Sequence, residues 1–367
     1  MITTTLFPGR YVQGRGALSR MGGELARLGG RHFLICSPHP LERVLPSVLP
    51  DLKRGGTVRA ERFGGECTDR EIERLASVAR DFGAQTVAAL GGGKTLDAAK
   101  AVAARIGVPV AVAPTIASTD APCSSVCVVY SPEGIFERVD VLARNPDLVL
   151  VDTEVVAGAP ARFLAAGMGD ALATWFEADS CRVSRGRTIA GDVGSMTAHA
   201  LARLCYETIR DWGPSALTAC EAGVVTPALE RVVEANTLLS GLGFESGGLG
   251  AAHSIHNGLT VLPDVRDKYH GEKVAFGVLA SLFLTDRPVS LVDEVYALCA
   301  TLGLPTTLAD LGLDGASDQD LARVAEKTCA NGESIHNEPV EISPRLVHAA
   351  LKAADAEGRR RKGRDRR

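Results

Sequence analysis

Aromatic residues are scarce in this chain, at 5% with two tryptophans. Other features are missing too, and each omission excludes a class. No apolar run approaches the ~18 residues that span a bilayer, so no membrane helix is expected. The opening Met1-Ile2-Thr3-Thr4-Thr5 has neither the basic region nor the apolar core of an export signal. The nine cysteines (36, 67, 123, 127, 181, 205, 220, 299 and 329) are scattered and lack a C-x-x-C framework. That pattern fits reduced thiols and a cytoplasmic protein better than a disulfide scaffold. The formal charge of −4 carries no excess of basic side chains, so no nucleic-acid partner and no membrane surface is expected.

What is present is glycine and small aliphatic residues. With 39 glycines and 46% hydrophobic residues, the 367-residue chain has the texture of Ala/Val/Leu-rich elements joined by tight turns, and its length calls for two domains. Residues 31–36 (RHFLIC) read as a buried strand after a helical stretch at 18–28. A second helix is expected over 69–82, where Ile72, Leu75, Ala76, Val78 and Ala79 recur at helical spacing and Gly83 stops the run. Strands are expected at 85–90, 108–113 and 147–152. From Pro160 onward helical spacing dominates, over 163–177, 188–210, 215–244, 273–284, 291–301 and 318–329. These patterns predict an α/β N-terminal domain at 1–157, an all-α domain at 158–357, and a basic, solvated, disordered tail at 358–367 (GRRRKGRDRR). Arg162, Glu177, Glu234 and Glu245 read as solvated or inter-helix charges, and Trp175 as core.

The strand at 85–90 runs into Gly91-Gly92-Gly93-Lys94-Thr95, and helical spacing resumes at Leu96. Neither a Walker A loop, which would need glycine at Ala88, nor the common dinucleotide fingerprint, which would need a small residue at Leu96, is satisfied. The chemistry survives both failures, because a glycine turn at a helix N-terminus offers backbone amides, here with Lys94, to a pyrophosphate. A plain strand–helix turn remains the alternative. The segment Pro114–Pro122, with Thr115, Ser118, Thr119 and Asp120, reads as a rigid loop lining a cleft.

Three of the eight histidines fall in Gly247–Lys273 (GGLGAAHSIHNGLTVLPDVRDKYHGEK). His253 and His256 are three apart, and His270 follows a polar loop. Two imidazoles and one carboxylate would form a three-ligand site with an open position, the catalytic arrangement for zinc. Helix-cap and core histidines would produce the same spacing.

The blocks GGGKTLDAAK, PTIASTDAPCS, GMGDALATWFEA, GLGAAHSIHNGLT and YHGEKVAFG, with FPGRYVQG and FGGEC, resemble those of glycerol dehydrogenases in the iron-containing alcohol dehydrogenase superfamily. The likeness spans residues 7 to 340. It implies an NAD-binding α/β domain whose glycine-rich turn holds the nucleotide, an all-α metal-binding domain, and an active site in the cleft between them. Carried over by motif, the metal ligands are Asp170, His253 and His270, with His256 unassigned. Four-ligand iron members have a further histidine one turn after the aspartate; Thr174 stands there, which favours Zn2+ over Fe2+. Asp120 matches the substrate-contacting aspartate. Cofactor contacts map to Gly92, Gly93, Lys94, Thr95, Asp97, Thr115, Ile116, Ala117, Ser118, Ser124, Val126 and Tyr130.

The implied reaction is oxidation of glycerol, or a similar small vicinal diol, to dihydroxyacetone by a homo-oligomeric enzyme. Glycerol-1-phosphate dehydrogenase-like and dehydroquinate synthase-like branches of the superfamily are the alternatives. Each needs clustered cations for a phosphate, and no lysine occurs between Lys100 and Lys268. One departure concerns the cofactor: glycerol dehydrogenases place an acid after the first strand, whereas Cys36-Ser37-Pro38-His39-Pro40 holds none. NAD is still expected to be preferred, because no arginine cluster waits there, with measurable use of NADP.

Overall fold

The computed structural model describes residues 2–365. The chain divides into two compact units, Leu6–Leu164 with Thr218–Gly241, and Met1–Thr5 with Ala165–Leu217 and Leu242–Arg367. It therefore passes between units more than once, where the sequence predicted a single boundary near Ala157. The return is made by Pro227–Glu234, whose buried Leu229, Val232 and Val233 form an apolar stripe, and by the π-helical turn Ala235–Leu239. The Tyr11 hydroxyl meets Thr237 Oγ1 at 2.7 Å, and Gln13 donates to the Glu230 carbonyl at 2.9 Å.

The first unit is built on a six-stranded sheet. Its strands are β1 (Tyr11–Gly14), β2 (Arg31–Cys36), β3 (Thr57–Arg62), β4 (Thr86–Gly91), β5 (Val110–Pro114) and β8 (Leu148–Asp152). Between the last two, β6 (Val126–Tyr130) and β7 (Phe136–Val141) form an antiparallel hairpin. The sheet is parallel throughout, in the order β1-β8-β5-β4-β2-β3. Strands β4, β5 and β8 are buried along their whole length. That burial is why they read as unbroken apolar runs rather than alternating patterns. β3 (TVRAER), on the edge and largely exposed, has no such run and escaped sequence reading.

Helix Asp69–Phe82 starts where Thr68 accepts from the Glu71 amide and stops at Gly83 in the left-handed region (φ 67°), close to expectation. Helix Gly93–Ile106 carries an unusual buried cation. Lys100, 1% exposed, pairs with Asp97 at 2.8 Å. It also donates to the carbonyls of Ala121, Ser124 and Val126, which braces the entry to β6.

The second unit is helical. Its principal members are Ala161–Ser184, Met196–Glu221, Ala251–Leu259, His270–Leu284, Val289–Thr301, Asp318–Thr328 and Pro344–Asp365. The first and second of these each contribute residues to both units, as does Ser240–Gly247. Residues 188–195, expected to be helical, lie outside the Met196–Glu221 helix. The predicted disordered tail is a correction, because residues 358–365 continue the Pro344–Asp365 helix. Acids on neighbouring turns and helices hold its cations: Arg361 pairs with Glu357 at 2.6 Å and with Asp293, Lys362 pairs with Asp310 at 2.5 Å, and the Arg361 guanidinium lies 4.8 Å from the Tyr296 ring centre. Arg366 and Arg367 lie outside the described residues. All nine cysteines are free thiols, eight buried and Cys329 half-buried. Among the described residues, no helix is long and apolar enough to cross a membrane.

Replacing Lys100 by Met would strand Asp97 as a buried, uncompensated charge. The expected cost is about 3–5 kcal/mol, read as a fall in the urea midpoint of unfolding.

Candidate metal centre and glycine turn

In the helical unit, a backbone contact too close for any side chain positions the centre. A Cβ on Gly271 would lie 1.8 Å from the Ala166 carbonyl oxygen, and one on Gly169 would lie 2.4 Å from that of Gly271. Only glycine at both points lets helices Ala161–Ser184 and His270–Leu284 approach so closely. Asp170 and His270, one residue from those contacts, are thereby brought side by side.

Asp170 is fully buried, and its Oδ1 lies 3.1 Å from His270 Nε2 and 3.3 Å from His253 Nε2. One ligand atom from each of the three residues falls within 4.8 Å of the others. Bonds of 2.0–2.1 Å at tetrahedral angles separate ligand atoms by roughly 3.3 Å, so the spacing fits a small divalent ion. Burial alone would raise the Asp170 pKa, yet His270 and His253 hold it well below the usual carboxylate range. Burial opposes charge on His253, but Glu177 and Asp170 raise its pKa well above the imidazole value. The set attracts positive charge, as a cation site requires. Thr174, one turn after Asp170, is buried with its methyl group against Gly243 and supplies no further nitrogen.

Glu177, read from sequence as a solvated or inter-helix charge, is 1% exposed and belongs to this centre. It accepts from His253 Nδ1 at 2.6 Å and from the His253 amide at 2.9 Å. Standing two turns after Asp170 on the same face, it gave a signal in its spacing. Glu338 accepts from the Ala251 amide at 2.7 Å, so two carboxylates cap the first turn of helix Ala251–Leu259. Gly250 makes room, since a Cβ there would meet Glu338 Oε1 at 2.5 Å.

His256, unassigned from sequence, also has a place. Its Nε2 lies 3.1 Å from His270 Nδ1 and its Nδ1 lies 3.1 Å from Asn257 Oδ1. Asn257 Nδ2 donates to Glu333, which orients Oδ1 as the acceptor. His256 therefore carries its proton on Nδ1 and accepts from His270 Nδ1–H, leaving the His270 Nε2 lone pair free for an ion. Burial, with the nearby His270 and Lys273, pushes the His256 pKa well below its ordinary value and keeps the ring neutral.

In the α/β unit, Gly92 precedes helix Gly93–Ile106, which has no side-chain cap and no acid in its first turn. A helix end of this kind offers its backbone amides to an anion. A Cβ on Gly91 would strike Ser37 Oγ at 2.1 Å, and one on Gly92 would meet Ile116 at 3.0 Å. Thr95 Oγ1 meets Ser37 Oγ at 2.7 Å, and the Thr115 amide donates to the Gly91 carbonyl at 3.0 Å. Lys94 pairs with Glu66 at 2.6 Å and sits 4.7 Å from the Tyr130 ring centre; sequence reading missed Glu66.

Other candidate residues are engaged within the protein. The Asp97 carboxylate is occupied by Lys100 and the Val128 amide, and the carbonyls of Ser124 and Val126 by Lys100. What these three contribute here is the shape of the loop. Asn236, on the π-helical turn, donates to the Ala117 carbonyl at 3.0 Å, and Ser240 donates to Asp120 Oδ2 at 2.9 Å. Both brace the segment that carries Ser118 and Asp120. Trp175 is half-buried rather than core, with Arg203 5.0 Å from its ring centre.

A parallel-sheet α/β unit with an uncapped glycine turn, and a helical unit with a buried carboxylate between two imidazoles, is the build of a metal-containing dehydrogenase. The model of the iron-containing alcohol dehydrogenase family matches residues 8–153. A glycerol dehydrogenase of Thermotoga maritima is 58% identical, with 99% of each chain covered. One from Escherichia coli is 51% identical over 96% of each. The crystal structure of glycerol dehydrogenase from Schizosaccharomyces pombe, 36% identical, superposes with a TM-score of 0.95, covering 99% of this chain and 93% of that one. The chain belongs to the iron-containing alcohol dehydrogenase family and is an oxidoreductase. Its full-length relatives named here are all glycerol dehydrogenases.

Two outcomes follow for this centre. Glu177→Gln removes the charge behind His253 and is expected to weaken Zn2+ affinity by roughly 10–100-fold, with His256→Ala milder; competition with a fluorescent chelator measures both. Burial, reinforced by Glu177, raises the Glu338 pKa from 4.5 to about 7. The folded chain then keeps a proton that the unfolded chain releases between these values, so stability is lost as pH rises through that window. Glu338→Gln is expected to remove that slope, at most about 1.4 kcal/mol per pH unit, in urea titrations from pH 5 to 8.

Proposed function

We propose that this protein is a glycerol dehydrogenase, oxidising glycerol or a similar small vicinal diol to dihydroxyacetone with NAD as hydride acceptor. The observation that carries the reading is the Asp170–His253–His270 constellation, whose 3.1 and 3.3 Å contacts support a three-ligand site, in a chain 58% identical to a glycerol dehydrogenase. We assign these three residues as ligands of Zn2+ rather than Fe2+, on the basis of the absent fourth imidazole at Thr174. When bound, such an ion supplies Lewis-acid polarisation of an alcohol oxygen.

The chain's own residues do the rest. Glu177 and His256 orient His253 and His270 through their Nδ1 atoms and set which nitrogen faces the ion. Asp120, held by Ser240, presents an acceptor to a substrate hydroxyl. Gly92, Gly93 and Lys94 with Thr95 hold the pyrophosphate at the helix N-terminus. Thr115, Ile116, Ala117 and Ser118 fix the nicotinamide end, with Tyr130 beneath Lys94. The reading carries with it a cytoplasmic location and a homo-oligomer. The latter is supported by exposed Phe136, Val139 and Val141 on β7, and sedimentation velocity tests it.

The decisive experiment pairs metal analysis with NAD-linked glycerol oxidation before and after chelation. Stoichiometric zinc and loss of turnover on chelation are expected, with Asp170→Asn, His253→Ala and His270→Ala each losing metal and activity while staying folded. Turnover that survives removal of all metal would refute the reading. Asp120→Asn is expected to lower kcat/KM for glycerol more than it alters NAD binding.

A further inference from the structure

In open parallel sheets ligands bind outside the carboxyl ends of the strands, and here those ends fall on two sides of the glycine turn that follows β4. Strand β5 lies on one side and leads into Thr115–Asp120. On the other lies β2, whose exit is tied to the turn: the Ser37 amide donates to the Leu90 carbonyl at 3.1 Å, and Ser37 Oγ meets Thr95. Beyond β2 comes β3, with Arg62 in register with Cys36 and the Phe63 amide bonded to the Cys36 carbonyl at 2.8 Å. An open cavity of about 470 Å³ occupies this corner, lined by Pro38, Arg62, Phe63 and Gly64 with Glu61, Glu71 and Arg74.

The charges in that cavity are unequal. Glu71 is taken by Arg74 at 2.7 Å and by the Gly64 amide at 2.8 Å; Glu61 is taken by Arg59 at 2.9 Å. Arg74 also donates to the Arg62 carbonyl at 3.0 Å. Arg62 is exposed, and its guanidinium pairs with no carboxylate among the described residues. The strand end that would carry a repelling acid carries buried Cys36 instead. The sequence showed the missing acid at Cys36 but not this arginine, which the parallel pairing brings in from the next strand.

We propose that Arg62 is a cofactor-specificity residue: it receives the 2′-phosphate of an adenosine moiety lodged in this cavity, so that the protein binds NADP as well as NAD. The proposal rests on the glycine turn holding the pyrophosphate, which places the adenosine on the β2–β3 side. A guanidinium presents a bidentate face to a phosphate, and the phosphate meets no unpaired carboxylate in the cavity.

The test is isothermal titration of the metal-loaded protein with NAD, NADP, 5′-AMP and adenosine 2′,5′-bisphosphate, none of which requires turnover. Adenosine 2′,5′-bisphosphate is expected to bind more tightly than 5′-AMP and to be displaced by NADP. Arg62→Ala is expected to weaken NADP relative to NAD by roughly 10–100-fold, with Arg62→Lys recovering part of the loss. Cys36→Asp should shift the same ratio towards NAD. NAD binding with an NADP-to-NAD ratio unchanged by Arg62→Ala overturns the proposal and leaves the glycine turn intact as the cofactor site. Failure of both dinucleotides to bind overturns the cofactor reading itself, and this proposal with it.

Discussion

A carboxylate with no solvent exposure is costly unless cations or hydrogen-bond donors replace the water it has lost. Asp170 is such a group, and the helical unit is arranged to satisfy it. Two imidazoles approach it from different helices, and the approach is possible because Gly169 and Gly271 allow backbone to meet backbone. Behind each imidazole stands a second group, Glu177 or His256, that selects the tautomer. The order of dependence runs from helix contact to buried charge, and from buried charge to ring orientation.

The α/β unit follows a different logic. Its sheet is buried and parallel, so every strand delivers its C-terminal residue to the same edge. The uncapped helix at Gly93 and the loop after β5 lie along that edge, and neither is left to find its own shape. Lys100 ties down residues 121–126 from inside, while Asn236 and Ser240 secure Ala117 and Asp120. The π-helical turn that offers Asn236, and is followed directly by Ser240, is a backbone irregularity with a definite task, as such turns often are.

The fully buried strands were legible in the sequence because they are continuous apolar runs, and helix Asp69–Phe82 because its stripe and Gly83 agree. The three candidate ligands in the helical unit were readable only through their motif blocks, since spacing alone left His253, His256 and His270 equivalent. What escaped were features whose meaning lies in partners distant in sequence. Glu177 looks like any helical acid until His253 is placed beside it. The basic run at 358–365 resembles a tail until Asp293, Glu357 and Asp310 are seen to meet it. β3 lacks a periodic signal because an edge strand buries little.

The register of the β2–β3 ladder has a consequence for how such a protein can drift. Cys36 and Arg62 face each other across one rung, although they lie far apart in the chain. Cys36 is buried and Arg62 exposed, so a change at the first is made in the core and a change at the second in solvent. Substitution can therefore reach Arg62 at little cost to the sheet, while a charge at Cys36 must find a partner inside it, and Arg62 stands across the same rung.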